Sequence, residues 1–160
     1  MSHPLLEKHR ATLDGALNAI ATRGYWSAYN EMPSPKAYGE TAADDGKNAF
    51  AAHLGKQFAL DQPGLTGWHG GEQSPYGIDL GVSYPVCDID ALIDAGQSAM
   101  FDWQKIGADG RTGICLEILD RLNKQSFELA HAVMMTTGQG WMMAFQAGAL
   151  LSMLPAIFLS

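Results

Sequence analysis

The sequence predicts a helix-dominated α+β fold, with two long antiparallel helices, shorter N-terminal helices and a small β-hairpin. Apolar residues recur at three- and four-residue spacing over most of the chain, as in helices that bury one face. The segment 57–86 is different, because it is rich in glycine and contains a stretch that alternates between apolar and polar residues. Such alternation is typical of a half-buried strand. Strands are therefore expected in this segment.

Two helices separated by an irregular connection are predicted before the glycine-rich segment. A side-chain cap at Ser2 and an apolar stripe as far as Ile20 indicate the first helix, which Gly24 is expected to end. The second helix is expected over residues 42–54, with Thr41 as its cap.

The predicted hairpin lies in the glycine-rich segment. Residues 74–77 are typical of a turn, and residues 78–82 alternate in the manner of a strand. Its partner strand is expected near Trp68. A lone hairpin is marginal in water, so it needs a surface to lie on.

The two long helices are predicted after the hairpin. Asp88 is a suitable N-cap for the first, which should continue to Gly107. The second should open at Asp109 and end at Gly138. Its expected buried face consists of Ile114, Cys115, Ile118, Leu119, Leu122, Leu129, Val133 and Met134, and its expected wet face includes Glu117, Asp120, Arg121, Lys124, Gln125 and Glu128.

Charge and composition exclude several classes of partner. The chain has 160 residues and a net charge of −7, and its lysines and arginines are not clustered. Nucleic acids and anionic membrane surfaces both require clustered positive charge, so neither is an expected partner. Two cysteines do not make a disulfide framework, which suits a reducing cytoplasm.

The residues alone indicate no catalytic, cofactor-binding or metal site. The five histidines are spread over different predicted elements, without the spacing of zinc ligands. Cys87 lies beside a helix start and Cys115 on an apolar helix face, and a structural role is expected for both. The glycines of segment 138–143 follow a helix, whereas a dinucleotide fingerprint follows a strand.

The C-terminal segment is unusual because residues 129–160 contain no charged side chain. A soluble domain has to bury an uncharged, apolar segment of this kind against something. The segment is therefore a candidate surface for self-association or for binding a partner. A membrane anchor over residues 141–160 is a less favoured alternative, because glutamine, glycine and proline interrupt it. The residues proposed for the interaction surface are Trp141, Met142, Phe145, Leu151 and Leu154.

Four segments, in this order and spacing, resemble the start of the aldehyde dehydrogenase superfamily fold. They are SPYGIDLGV over 74–82, DIDALIDA over 88–95, AMFDW over 99–103 and TGQ over 137–139. The last is similar to the Thr-Gly-Lys of the superfamily, with Gln139 as a departure. The resemblance implies a parent enzyme that uses NAD or NADP, a cysteine nucleophile and a glutamate base.

Further segments resemble the phenylacetic acid degradation proteins of the PaaN family. They are HPLLEKH over 3–9, RGYWSAY over 23–29, EMPSPK over 31–36, YGETAADDGK over 38–47 and GGE over 70–72. This resemblance implies that the parent enzyme oxidises the CoA-linked semialdehyde left by opening of an aromatic ring.

The resemblance divides the chain into residues 1–148, an aldehyde dehydrogenase-like N-terminal segment, and residues 149–160, a divergent apolar tail. In the superfamily the cofactor glycines, glutamate and cysteine all follow the Thr-Gly-Lys position, so neither Cys87 nor Cys115 corresponds to the nucleophile. The resemblance therefore implies a fragment, from truncation or a frame slip near Gly148, that binds no cofactor and has no dehydrogenase turnover alone.

Overall fold

The computed structural model describes residues 3–146 and confirms the helix-dominated α+β fold. Its two strands form one antiparallel sheet. The helices are α1 (Pro4–Lys8), α2 (Arg10–Thr22), α3 (Pro35–Tyr38), α4 (Ala42–Ala51), α5 (Ile89–Lys105), α6 (Gly107–Lys124) and α7 (Ser126–Thr137), and the strands are β1 (Leu65–Gly70) and β2 (Ser83–Cys87). Residues 141–146 are helical as well.

The predicted first helix is divided in two at His9. The backbone N–H of His9 donates to carbonyls of α1, and α2 begins at the next residue. The helix start is capped by His3, whose Nδ1 accepts from the N–H of Leu5 at 3.3 Å, while the predicted cap Ser2 lies outside the described residues. Arg23, in the left-handed region at φ 53°, ends α2 just before the predicted glycine.

The β-hairpin is present, but its second strand begins later than predicted. Strands β1 and β2 pair antiparallel, with Gly70 opposite Ser83. The alternating segment 78–82 is a loop, because Gly81 has a φ of 60° and its N–H donates to the Asp79 side chain at 2.9 Å. The alternation instead marks side chains of the loop that are buried, Leu80 and Val82.

Helix α5 starts as predicted and lies at the surface. The Asp88 side chain accepts from the N–H of Ala91 at 2.9 Å, which confirms the cap. None of the residues of α5 is fully buried. Gly107, with φ 74°, marks the junction between α5 and α6.

The predicted second long helix is two helices, α6 and α7, separated at Gln125. The packing partners also differ from those predicted: α6 packs mainly against α1, and α7 against α4, while α5 and α6 make slight contact. The buried residues of α6 are Gly110, Gly113 and Leu116. A side chain at Gly113 would bring its Cβ within 2.6 Å of the Leu6 nitrogen, so glycine permits the close approach of α1.

The predicted faces of α6 are therefore wrong in three places. Cys115 and Ile118, assigned to the buried face, are exposed, and Glu117, assigned to the wet face, has a side chain that is only 13% exposed. The apolar stripe of α6 is wider than the surface that α1 covers. The close approach of α1 at Gly113 determines which face of α6 it covers.

Two buried clusters form the core. The first joins α1, α2 and α6 through Leu6, Leu13 and Leu116. The second joins α7 to the helical residues 141–146 through Phe127, Ala130 and Phe145, with α4 packed on it. At Gly46 in α4 an added Cβ would collide with Phe127. Glycine is therefore required where α4 crosses α7.

Within residues 3–146 there is no helix that is both long enough and apolar enough to cross a membrane. Most of the predicted anchor, residues 141–160, lies outside this range.

Candidate functional site

One residue of the predicted interaction surface belongs to the buried core. Phe145 is only 1% exposed, and its ring centroid lies 5.0 Å from that of Phe127 and 5.6 Å from that of Tyr38. These edge-on contacts are favourable for aromatic rings. Phe145, a residue of the predicted interaction surface, is thus buried inside this chain.

The other residues of that predicted surface are placed differently. Trp141 is half-buried and packs 4.6 Å from His131, centroid to centroid. Burial lowers the pKa of His131, which favours a neutral imidazole beside the indole. Met142 is 39% exposed, so it remains available to a partner. Leu151 and Leu154 lie outside the described residues.

An ion-pair network ties α1 to α6 around Glu117. The carboxylate accepts from Lys8 at 2.6 Å and from Arg121 at 2.9 Å, and it pairs with the ring of His9 at 2.8 Å. The hydrogen bonds from Lys8, His9 and Arg121 lower the pKa of Glu117 to about 2. Only the pair of Glu117 and Arg121 could be expected from the sequence, because the two residues are four positions apart on one helix. Lys8 and His9 are far from Glu117 in the sequence, and the fold brings them into contact with it.

The same network could be mistaken for a metal site. Ligand atoms of His9, Glu117 and Asp120 lie within 4.8 Å of one another. However, Asp120 is bonded to Lys124 at 2.7 Å, and Glu117 is bonded to two cations. Since these cations compensate the carboxylates, the cluster is best explained as a structural ion-pair network.

The Glu117 network predicts a pH dependence of stability. The folded-state pKa lies below the usual value of 4.5, so the network stabilises the fold above that value and the stabilisation is lost as the pH falls towards 2. The free energy of unfolding, measured by urea denaturation between pH 6 and pH 2, is therefore expected to decrease below about 4.5. The variant Glu117→Gln should be less stable at pH 6 and should lack much of this decrease. A decrease of the same size in both proteins would contradict the assignment.

The two cysteines occupy different environments. Cys87 is half-buried at the end of β2, and Cys115 is exposed on α6. Cys115 therefore departs from the buried thiol that the sequence predicts. Neither position shows the pairing of thiol and histidine that nucleophilic catalysis requires, as far as the described residues go.

The glycines of segment 138–143 do not form a dinucleotide cradle. Gly138, with φ 76°, ends α7, and the next helical residues are 141–146. A Rossmann cradle needs a strand that leads into a helix, so that backbone N–H groups surround the pyrophosphate. Segment 138–143 therefore lacks the strand-to-helix turn of such a cradle.

A cleft of about 490 Å³ lies where the start of α4 meets the turn between α6 and α7. Of its charged side chains, Lys124 pairs with Asp120 and Glu128 with His53 at 2.8 Å, while Asp45 is exposed. Ser126 also lines the cleft, and its hydroxyl oxygen is buried without a hydrogen-bond partner among the described residues. Nothing in the cleft converges on one ligand.

Helix α5 has several exposed apolar side chains. Ile89 is 72% exposed, Ile93 49% and Met100 55%. The sequence predicts that α5 is the first of two long antiparallel helices. These side chains are exposed because α6 turns towards α1 instead.

Comparison with solved structures finds a relative of this fold. The chain is similar to an NAD-dependent aldehyde dehydrogenase from Burkholderia multivorans, with 50% sequence identity and a TM-score of 0.90. The match covers 97% of this chain and 29% of that enzyme, so the chain spans less than a third of its length. No protein-family model matches the chain, and no curated protein matches it. The likeness supports the aldehyde dehydrogenase superfamily.

Proposed function

We propose that this chain is the N-terminal part of an NAD-dependent aldehyde dehydrogenase. The observation that carries the proposal is the agreement in both sequence and fold with a solved enzyme of that activity over nearly the whole of this chain. Because 50% of the residues are identical, we expect this segment to have the same role as the matching segment of the Burkholderia enzyme. The role proposed for this segment is structural.

The proposed parent reaction is the oxidation of a ring-opened, CoA-linked semialdehyde in phenylacetate degradation. Support comes from the segments that resemble the PaaN family, such as those at 3–9 and 38–47. Three of those segments contribute to the N-terminal packing of this structure, through α1, α3 and α4. We propose NAD as the parent's cofactor and the cytoplasm as its location.

A chimeric enzyme tests the proposal. Residues 3–146 would replace the matching segment of the Burkholderia enzyme, and NADH formation would be followed with a CoA-linked semialdehyde and with simple aliphatic aldehydes. We expect the chimera to oxidise aldehydes and to prefer the CoA-linked substrate. The 160-residue chain alone should form no NADH.

Two outcomes would contradict parts of this proposal. NADH formation by the 160-residue chain alone would overturn its assignment as an inactive segment. A folded chimera without aldehyde oxidation would overturn the shared role, and a chimera without preference for the CoA-linked substrate would overturn the proposed pathway.

A second proposed role is self-association through the apolar C-terminal segment. The observation that favours it is the exposure of Met142 and Met143, at 39% and 64%, beside the buried Phe145. Sedimentation of the 160-residue chain tests it: a monomer at all concentrations would contradict this role.

A further inference from the structure

The helical segment 141–146 is attached to the other helices by the packing of its side chains. No hydrogen bond among residues 3–146 joins it to another helix. Phe145 is buried against Phe127, with 5.0 Å between the ring centroids. Trp141 lies 4.6 Å from the ring of His131. One of the aromatic contacts that hold the segment is therefore made to a side chain that can take up a proton.

His131 lies where three helical elements meet. Its ring is stacked on that of Phe50 in α4, with centroids 6.5 Å apart and planes at 19° to each other. The ring of Trp141, in segment 141–146, is tilted by 47° to it on contact. A hydrogen bond to the backbone of Ala43 adds a further link to α4. The imidazole thus connects α4, α7 and segment 141–146.

The surroundings of this ring favour its neutral form. Burial and the like charge of Lys47 on α4 lower the pKa of His131, while the hydrogen bond to Ala43 opposes the shift. Segment 141–146 carries no charged side chain. The other charged groups of α4 and α7 are exposed or already paired, and they are Asp44, Asp45 and Glu128. Among the described residues no carboxylate is thus in place to compensate a positive charge on His131.

We propose that protonation of His131 loosens the attachment of segment 141–146 to α4 and α7, so that this junction is a pH-sensitive device. A charged imidazole loses more hydration than a neutral one in this half-buried position, and Lys47 repels it. Cation–π attraction to Trp141 acts in the opposite direction. Residues 147–160 follow this segment in the chain, so the device controls how firmly the helical core holds the segment that leads to them. It does not depend on the proposed function.

Hydrogen exchange of the 160-residue chain tests the device. The attachment should be complete above the ordinary histidine pKa of 6.5 and should weaken as the pH falls below it, because the packed ring binds a proton less readily than a solvated one. After correction for the intrinsic rate at each pH, the protection of amides 144–146 should fall at least about twofold between about pH 8 and pH 5. Protection that is constant or that rises over this range would overturn the proposal.

Matched substitutions assign the effect to one histidine. His131→Gln removes the titrating ring, so the protection of amides 144–146 should be lower and should no longer depend on pH. His69→Gln removes an exposed histidine of β1 and should keep the full pH dependence. A pH dependence that survives in His131→Gln, or that is lost in His69→Gln, would overturn the assignment.

Titration of the histidine rings by NMR tests the proposal even if His131→Gln does not fold. The ring of His131 should titrate below 6.5. Lys47→Gln removes the like charge and should move this midpoint upwards, whereas Lys105→Gln, which removes a lysine of α5, should leave it unchanged. A midpoint at or above 6.5 in the unsubstituted chain would mean that the attraction to Trp141 prevails, and it would overturn the proposal.

Discussion

Replacing Gly46 with alanine is expected to destabilise the fold by about 2 kcal/mol. An added Cβ would collide with the Phe127 Cβ and would lie 2.7 Å from the Phe127 carbonyl carbon and 2.8 Å from the Glu128 nitrogen. Two of these atoms belong to the backbone of α7, so relief requires α4 and α7 to separate. The cost of overpacking, up to about 3 kcal/mol, exceeds the gain of about 1 kcal/mol in helix propensity.

The matched control for this variant is Gly96→Ala. Gly96 also lies inside a helix, but its added Cβ meets nothing, so the same substitution should stabilise the chain by up to about 1 kcal/mol. Urea denaturation monitored by circular dichroism measures both changes. Stabilisation by Gly46→Ala would contradict the close crossing of α4 and α7.

Replacing Phe145 with alanine is expected to cost about 4 kcal/mol. The ring is 1% exposed and contacts the rings of Phe127, Tyr38 and Trp141, so truncation loses its transfer free energy and leaves a cavity. In a chain of this size such a loss is a large part of the total stability. The structure places this cost in the core, whereas the sequence prediction would place Phe145 on a surface and expect a stability change near zero.

Two further variants, measured by the same urea denaturation, distinguish a buried Phe145 from an exposed one. Met143→Ala, at a position that is 64% exposed, should change the free energy of unfolding by less than about 0.5 kcal/mol. Phe145→Leu keeps most of the buried volume, so it should cost less than Phe145→Ala, about 1–2 kcal/mol. Equal and small effects at 143 and 145 would contradict the burial of Phe145.

Helices were predictable from this sequence because their signals are local. The Asp88 cap and the Gly138 stop are set by residues within one turn, and both are present in the structure. The prediction of a strand over 78–82 was wrong because the same alternation also occurs in this glycine-containing loop, which buries Leu80 and Val82 and leaves Ile78 exposed. The positive φ of Gly81 is what makes the segment a loop and not a strand, and this φ cannot be predicted from the spacing of apolar residues.

The face that each helix buries was less predictable, because it depends on partners far away in the chain. α6 has more apolar residues than α1 can cover, so Cys115 and Ile118 remain exposed. Glu117 is polar in sequence, yet it sits at the α1–α6 interface because Lys8 and His9 meet it there. Likewise, Phe145 belongs to the uncharged segment 129–160 in the sequence, but in the structure its ring packs against those of Phe127 and Tyr38.

The hairpin has a consequence for the chain on its own. Among the described residues β1 has β2 as its one strand neighbour, whereas the start of β2 is also covered by Lys56 and Phe58, through backbone bonds of 3.1 and 2.8 Å to Ser83. The outer edge of β1 thus presents N–H and C=O groups that can accept another strand. Leu65, 49% exposed, stands at the start of this edge. Concentrated samples are consequently expected to form intermolecular β-structure, in which a strand of another molecule pairs with β1. This route to aggregation is independent of the exposed helix surfaces.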